Sequence, residues 1–174
     1  MIKASSVTIR PYRESDASDI YAAVRESISE ISPWMPWCHP DYELGEAHNW
    51  IQTTAVGRES ATLYDFAIIG NGRYCGGCGV NGINWMDRVA NLGYWVRTSA
   101  TGQGIATMAA RQVIAWTFAN TKLNRLEIVA ACENRASQRV AEKLGATRDA
   151  VLAKRTMVKG QPADAILYSV LRSS

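Results

Sequence analysis

The chain has 174 residues, of which 47% are apolar and 20% charged. That length is expected to form one domain over residues 1–174, with a core large enough to need no metal or disulfide staple. The composition excludes a disordered tail, a collagen and a coiled coil.

The longest apolar run, Ala61 to Ile69, is broken by Asp65. It falls well short of the ~18 to 20 residues of a membrane span, so no membrane partner is expected. Met1 to Ser6 runs into a strand pattern without signal-peptide character, which makes the cytoplasm the expected location. Lys and Arg number 19 against 16 Asp and Glu, a net charge of +3. The positive charges are scattered, so no nucleic-acid partner is expected. A small anionic ligand held by local geometry stays open. The four cysteines, Cys38, Cys75, Cys78 and Cys132, lack a secretory context and do not imply disulfides.

Val7 to Pro11 alternates apolar and polar and reads as a strand. Glu14-Ser15-Asp16 opens a helix whose apolar stripe is Ile20, Ala23, Val24 and Ile28. Ser32-Pro-Trp-Met-Pro-Trp-Cys-His-Pro40 has three prolines and two tryptophans. Proline lacks a donor and disfavours helix before it, so this is an ordered aromatic loop. Leu44 to Val56 reads as a helix with Leu44, Ala47, Trp50, Ile51 and Ala55 inward.

The period then changes to two. Leu63 to Ile69, the turn Gly70-Asn71-Gly72, and Tyr74 to Ile83 predict a hairpin. Val89 to Val96 adds a third antiparallel neighbour. A helix from Gly104 to Ala119 carries Ile105, Met108, Ala109, Val113 and Trp116 on one face. Arg125 to Ala131 is an apolar strand. Asn134 caps a helix over Arg135 to Leu144, and Gly145 stops it. Strands near Thr147 to Leu152 and Ala165 to Leu171 close the chain. The order β-α-α-β-β-β-α-β-α-β-β defines a mixed α/β domain.

Thr101-Gly-Gln-Gly-Ile-Ala106 leaves a strand and enters a helix through two glycines. A helix start offers free N–H groups and the positive end of the dipole, so an anion such as a pyrophosphate fits there. The spacing matches neither the P-loop nor the dinucleotide fingerprint, because position 107 is Thr. On this pattern alone, a tight turn without a ligand is the other reading.

The stretch from Leu92 to Leu171 resembles the GNAT superfamily of N-acetyltransferases. Within it, the stretch is most similar to the ribosomal-protein alanine and serine N-acetyltransferase (RimJ/RimL-like) group. Thr101-Gly-Gln-Gly-Ile-Ala106 resembles the family's acyl-CoA pyrophosphate loop, and Leu92-Gly-Tyr-Trp-Val96 the strand before it. Glu133-Asn-Arg-Ala-Ser-Gln-Arg-Val-Ala-Glu-Lys-Leu-Gly-Ala146 resembles the family's Asn-x-x-Ser…Glu-Lys-Leu-Gly-Phe segment. Ser32-Pro-Trp-Met-Pro-Trp37 resembles the subgroup's tryptophan-rich loop.

The resemblance implies a mostly antiparallel central sheet with flanking helices, splayed at the acyl-CoA site. It implies acetyl-CoA as acyl donor, no metal, and a primary amine as acceptor, a protein N-terminus in this group. Thr101, Gly102, Gln103, Gly104, Ile105, Ala106 and Thr107 would form the pyrophosphate loop. Trp95 and Val96 would pair with the pantetheine arm, Asn134 would contact it, and Ser137 would be the acid for the leaving thiolate. Trp34 and Trp37 would wall the acceptor pocket or plug the first helix. Arg111, Arg139 and Lys143 could each meet the 3′-phosphate, or each be a solvated helix charge. The group is often dimeric, which leaves a homodimer open.

Departures from the family pattern put the base in doubt. The family's Arg/Gln at the loop start is Thr101, its Tyr acid is Ala141, its final Phe is Ala146, and its Glu before Gly-Tyr-Trp is Asn91. An asparagine cannot accept the proton of an ammonium. Glu127, His39 or a water chain remain as candidates, and Glu127 has a salt-bridge reading as well. Attack of the amine in a ternary complex needs the amine neutral, an N–H such as that of Val96 on the oxyanion, and a proton for the thiolate. A small-amine acceptor, a succinyl donor and a silent acyl-CoA sensor are the rival readings.

Cys75-Gly-Gly-Cys78, with Cys38 and His39, suggests zinc or redox chemistry. It lies within a strand pattern, where residues three apart point to opposite faces, so packing is the expected role. Cys132 has a packing reading and an acyl-cysteine reading.

Overall fold

The computed structural model describes residues 6–173, and the expectation for residues 1–5 lies outside the described residues. The strands are β1 (Val7–Arg10), β2 (Tyr64–Gly70), β3 (Arg73–Asn84), β4 (Val89–Val96), β5 (Arg125–Ala131), β6 (Thr147–Val158) and β7 (Gln161–Leu171). The helices are α1 (Ala17–Ile31), α2 (Leu44–Glu59), α3 (Ile105–Asn120) and α4 (Arg135–Lys143). One sheet results, in the order β1-β2-β3-β4-β5-β7-β6. All pairs are antiparallel except β4 and β5. This is the mixed α/β class expected from the element order, with the mostly antiparallel sheet that the family resemblance implies. Among the described residues, no helix is long and apolar enough to cross a membrane.

The turn chemistry explains the hairpins. β2 and β3 are joined by Asn71 and Gly72, both at positive φ (50° and 78°). That pair matches the right-handed twist of the strands it connects. Lys159 and Gly160 repeat the device between β6 and β7, with φ of 49° and 75°.

Each sheet face buries its own cluster. α3 and α4 cover Phe66, Ile68, Val80, Leu92, Leu126 and Ile128. α1 and α2 cover Ala67 and Tyr74 on the opposite face. In α2 the inward stripe is Ala47, Ile51 and Thr54, while Leu44 and Ala55 are exposed. The expected inward positions of Leu44 and Ala55 are therefore corrected. The helix meets the core one turn after it starts, and the stripe continues through Thr54 and Gly57 at helical spacing.

The expected alternation at the cysteine pair does not hold. Ile68 opposes Gly76 but Ile69 opposes Tyr74, so Cys75 is an extra residue in β3. This bulge resets the alternation of the strand. Cys75 and Cys78 therefore share one face and pack in the same core beneath α3. Gly76 is required there: its φ is 148° and an added Cβ would lie 2.1 Å from the Trp95 carbonyl oxygen. Cys38 lies in the cluster on the other face.

Candidate active site

The parallel ladder between β4 and β5 is short. It joins Val89, Ala90 and Asn91 to Arg125, Leu126 and Glu127 and then stops. β4 continues to Val96 and β5 to Ala131, the latter paired with β7 along its length. Beyond Asn91 the two strands splay, which leaves the edge of β4 from Leu92 to Val96 open to a ligand.

A groove of about 320 Å³ begins at this opening. Trp34, Trp95, Val96, Thr101, Gly102, Gly104, Ile105, Ala106, Thr107, Asn134 and Ser137 all line it. Gln103 does not; its amide reaches back 3.4 Å to the Ser99 carbonyl. Gly102 and Gly104 have φ of 74° and 79°, and an added Cβ at either would meet no protein atom. The glycines thus serve the backbone path into α3 and leave the space above its N-terminus clear. The first helical bond there is from Met108 N–H to the Gly104 carbonyl, at 3.0 Å. The N–H groups of the first turn are left for another acceptor, and no acidic residue occupies that turn. Arg139 and Lys143 line the groove along α4. Arg111 does not; its guanidinium donates to the Lys143 carbonyl at 2.8 Å. The site fits an extended ligand carrying several phosphates.

The inner end of the groove holds two hydroxyls. The Asn134 side chain accepts from the Ser137 N–H at 3.0 Å, capping α4 and presenting Ser137. The Ser137 hydroxyl lies 3.1 Å from that of Tyr94. Burial pushes the Tyr94 phenol up to about 12, against the pull of its bond to Ser137, so it holds its proton at neutral pH. The motif Leu92-Gly-Tyr-Trp-Val96 contains Tyr94, but its spacing gives no sign that the ring reaches α4.

Next to the groove lies a second cavity of about 530 Å³ on the α1/α2 side, sharing Met35, Tyr94 and Trp95 with it. Trp37 lines this second cavity, together with Tyr42, Trp50 and Asp65. Trp37 packs edge-on against Trp95, with ring centroids 5.4 Å apart.

The two base candidates fall elsewhere. Glu127 lines neither cavity. Arg125 Nε donates to its Oε1 at 2.7 Å, and Arg125 Nη2 reaches Asp149 at 2.5 Å. His39 stands one residue back from the second cavity, its Nε2 3.0 Å from Glu46 Oε2. Glu46 itself lines the cavity, and the Glu43 N–H, with His39, holds its carboxyl below the ordinary range. Cys132 packs beside the core under α4, and its carbonyl accepts from the Gln138 amide at 2.9 Å.

A carboxyl that sequence reasoning did not single out as a site residue lies in the second cavity. Tyr12 donates to Asp65 Oδ1 at 3.1 Å. Burial pushes the Asp65 carboxyl up to about 7, although the Tyr12 hydroxyl, the Phe66 N–H and the Arg58 charge all pull it down. The only trace of it in the sequence is that Asp65 interrupts the apolar run of β2.

A splayed sheet beside a glycine-led helix start is the arrangement that the GNAT resemblance implies. The chain belongs to the GNAT family: residues 6–147 match the model described as "Acetyltransferase (GNAT) domain". It is a GNAT-type N-acetyltransferase. It is 28% identical over 173 residues to the "Putative ribosomal N-acetyltransferase YdaF" of Bacillus subtilis (strain 168), covering 95% of this chain and 91% of that protein. The structure superposes with a TM-score of 0.90 on "RimL- Ribosomal L7/L12 alpha-N-protein acetyltransferase" in complex with coenzyme A, at 18% identity, covering 98% and 96% of the two chains. Mycobacterium smegmatis RimJ in complex with CoA-disulfide matches with a TM-score of 0.85 at 25% identity, covering 97% of this chain and 83% of that one.

Proposed function

We propose that this protein transfers an acetyl group from acetyl-CoA to a primary amine, the N-terminus of a protein, by direct attack within a ternary complex in the cytoplasm. The splay between β4 and β5 beside the free N-terminus of α3 carries this reading. The relatives named for ribosomal-protein acetylation support the choice of acceptor.

The chain's own groups divide the work. The first turn of α3 and the loop from Thr101 to Gly104 receive the pyrophosphate. When bound, acetyl-CoA supplies the thioester that the amine attacks. The open edge of β4 holds the pantetheine arm in an extended path, as a missing strand would lie. The Arg97 N–H donates to the Cys75 carbonyl at 2.8 Å, toward β3. Successive N–H groups of a strand point to opposite edges, so the Val96 N–H faces the splay, where it can stabilise an oxyanion. The Ser137 and Tyr94 hydroxyls, hydrogen-bonded to each other, supply the proton to the leaving thiolate. Most of the rate is left to positioning.

Calorimetric titration with acetyl-CoA, succinyl-CoA and free CoA, followed by thiol release on peptide and amine panels, tests the reading. Micromolar acetyl-CoA binding with release on N-terminal peptides is the expected result. Preference for succinyl-CoA or for a small amine would reassign the donor or acceptor. Binding without release on any amine would point to an acyl-CoA sensor. No binding would show that the loop from Thr101 to Ala106 is only a turn.

A further inference from the structure

Asp65 stands on the α1/α2 face of β2, between Phe66 and Tyr64 in sequence. Phe66 points into the opposite core, so strand alternation places Asp65 on the face that α1 and α2 cover. Its neighbours across the sheet are glycines: Asp65 pairs with Gly79, and Gly79 with Gly93. A Cβ at Gly79 would lie 2.4 Å from Asp65 Oδ2, and one at Gly77 would lie 3.4 Å from Oδ1. The carboxyl therefore lies flat over a floor that only glycine provides.

Three tryptophans and tyrosines of the second cavity, Trp37, Trp50 and Tyr42, surround the space above that floor. No basic side chain among the described residues forms an ion pair with Asp65. Arg58, the nearest cation of α2, donates to the Asp65 backbone carbonyl at 3.0 Å and stacks on Phe66. An acid in an aromatic box, with a neutral donor and no cation of its own, lacks one partner. A cation small at its head could enter from the cavity and take that place.

The floor also sets a direction. Asp65, Gly79 and Gly93 span two strand spacings, about 10 Å, and the side chain of Asp65 crosses the first of them. The remaining spacing, about 5 Å, ends at Gly93, next to Tyr94 and Trp95, which line both cavities. A nitrogen held by Asp65, directly or through one water, faces the inner end of the acyl groove.

We propose that Asp65 is the acceptor site and the general base: its carboxylate receives the primary ammonium of a peptide N-terminus and takes its proton. This rests on the acetyl-transfer reading above and names the group that reading leaves open. The step balances. One proton passes from the ammonium to Asp65, and the freed lone pair forms the C–N bond at the thioester carbon. The C–S bond breaks, and the second proton of the nitrogen reaches the thiolate sulfur through the Ser137 and Tyr94 hydroxyls. Asp65 then returns its proton to water. A carboxyl that titrates near neutrality is matched to this task.

The titratable groups facing Asp65 are few. The segment after β1 contributes Tyr12, β3 contributes Tyr74 and, across the strand, Cys78, and α2 contributes Arg58. Glu46 of α2, Tyr42 just before it and Tyr94 of β4 line the same cavity. α1 contributes Ile20 and Val24, which do not titrate.

The test compares the full chain with Asp65→Asn, using an alanine-initiated peptide amide and acetyl-CoA. The variant should lose about a hundredfold in kcat/KM for the peptide while acetyl-CoA affinity is kept. Wild-type kcat/KM should rise through a limb near pH 7 that the variant lacks. Melting separates this from a folding defect. A carboxyl raised from its ordinary value stabilises the fold below that value, and the stability is lost as pH rises through about 7. Asp65→Asn should therefore melt higher than wild type at pH 8 and no lower at pH 5. In the second measurement, the Asp65 side-chain carbon is titrated by NMR, and its pKa should fall when the peptide is added.

Wild-type acetylation with an indifferent Asp65→Asn would overturn the proposal and leave the acetyl-transfer reading standing. An Asp65 signal that the peptide does not move would also overturn it. A wild type that neither binds acetyl-CoA nor acetylates, but whose Asp65 pKa falls with the peptide, would support the ammonium site and remove the transfer reading.

Discussion

The hydroxyl of Tyr94, from β4, lies 3.1 Å from that of Ser137, in the first turn of α4. Tyr94 Oη is also 3.0 Å from the Ser137 carbonyl oxygen, to which it donates. The pair spans the mouth of the splay, and its members are 43 residues apart in the chain. The tyrosine that many GNAT enzymes place on α4 is Ala141 here, buried against the core. The Tyr94 phenol lines the groove from β4.

Ser137→Ala should lower kcat by roughly ten- to a hundredfold, at the low end for an acid–base group. Acetyl-CoA affinity should change little. Tyr94→Phe should behave alike, and the double variant should be little worse than either single, because the two hydroxyls act as one relay. Single-turnover rates with thiol detection measure this. Additive losses would assign the two hydroxyls separate roles.

Gly104→Ala and Gly102→Ala probe the cradle. At φ of 79° and 74° a side chain costs about 1 kcal/mol of strain. The added Cβ meets no protein atom. A modest drop in Tm is expected, together with a loss of acetyl-CoA affinity of tenfold or more from crowding of the ligand. Gly104→Arg should abolish binding. Differential scanning fluorimetry and calorimetry on the same samples separate the two effects.

Gly79→Ala and Gly45→Ala should move stability in opposite directions. At Gly79 the new Cβ would lie 2.4 Å from Asp65 Oδ2 and 2.6 Å from the Tyr64 carbonyl oxygen, one of them backbone. A loss of about 2 kcal/mol or more follows from such overpacking. Gly45 lies in the first turn of α2 with nothing within 4 Å of its would-be Cβ. Alanine there should add about 0.5 to 1 kcal/mol through helix propensity. Urea melts at neutral pH read both.

Glu26 of α1 ties down the approach to the cradle. It accepts from Arg97 Nε at 3.1 Å and from the Ser99 N–H at 2.7 Å. The Arg97 guanidinium, first among the causes, holds its carboxyl at about 2 against the ordinary 4.5. A depressed pKa gives stability that is full above about 4.5 and lost as pH falls through about 2. Glu26→Gln should cost roughly 1 to 2 kcal/mol at pH 7, as for a charge-assisted bond. The gap to wild type should close between pH 4.5 and 2, which melts across that range will show.

The elements were legible in the sequence because each rests on local chemistry. Periodicity marks β4 and β5, Gly70-Asn71-Gly72 marks a hairpin turn whose first glycine the structure assigns to β2, and Asn134 marks a cap. The loop from Thr101 to Ala106 is readable for the same reason, since its glycines and the helix start are neighbours in the chain. Register is not local. Whether Asp65 lies over Gly79 depends on how two strands slide past each other, and whether Cys75 faces Cys78 depends on one extra residue opposite Ile69. The meeting of Tyr94 with Ser137 depends on where the β4–β5 ladder stops. Sequence by itself determined the order of the elements and the glycine-led turn into α3. Tertiary structure alone decided which carboxyl enters the aromatic cavity and which hydroxyls meet, because those contacts are set by pairing between distant strands.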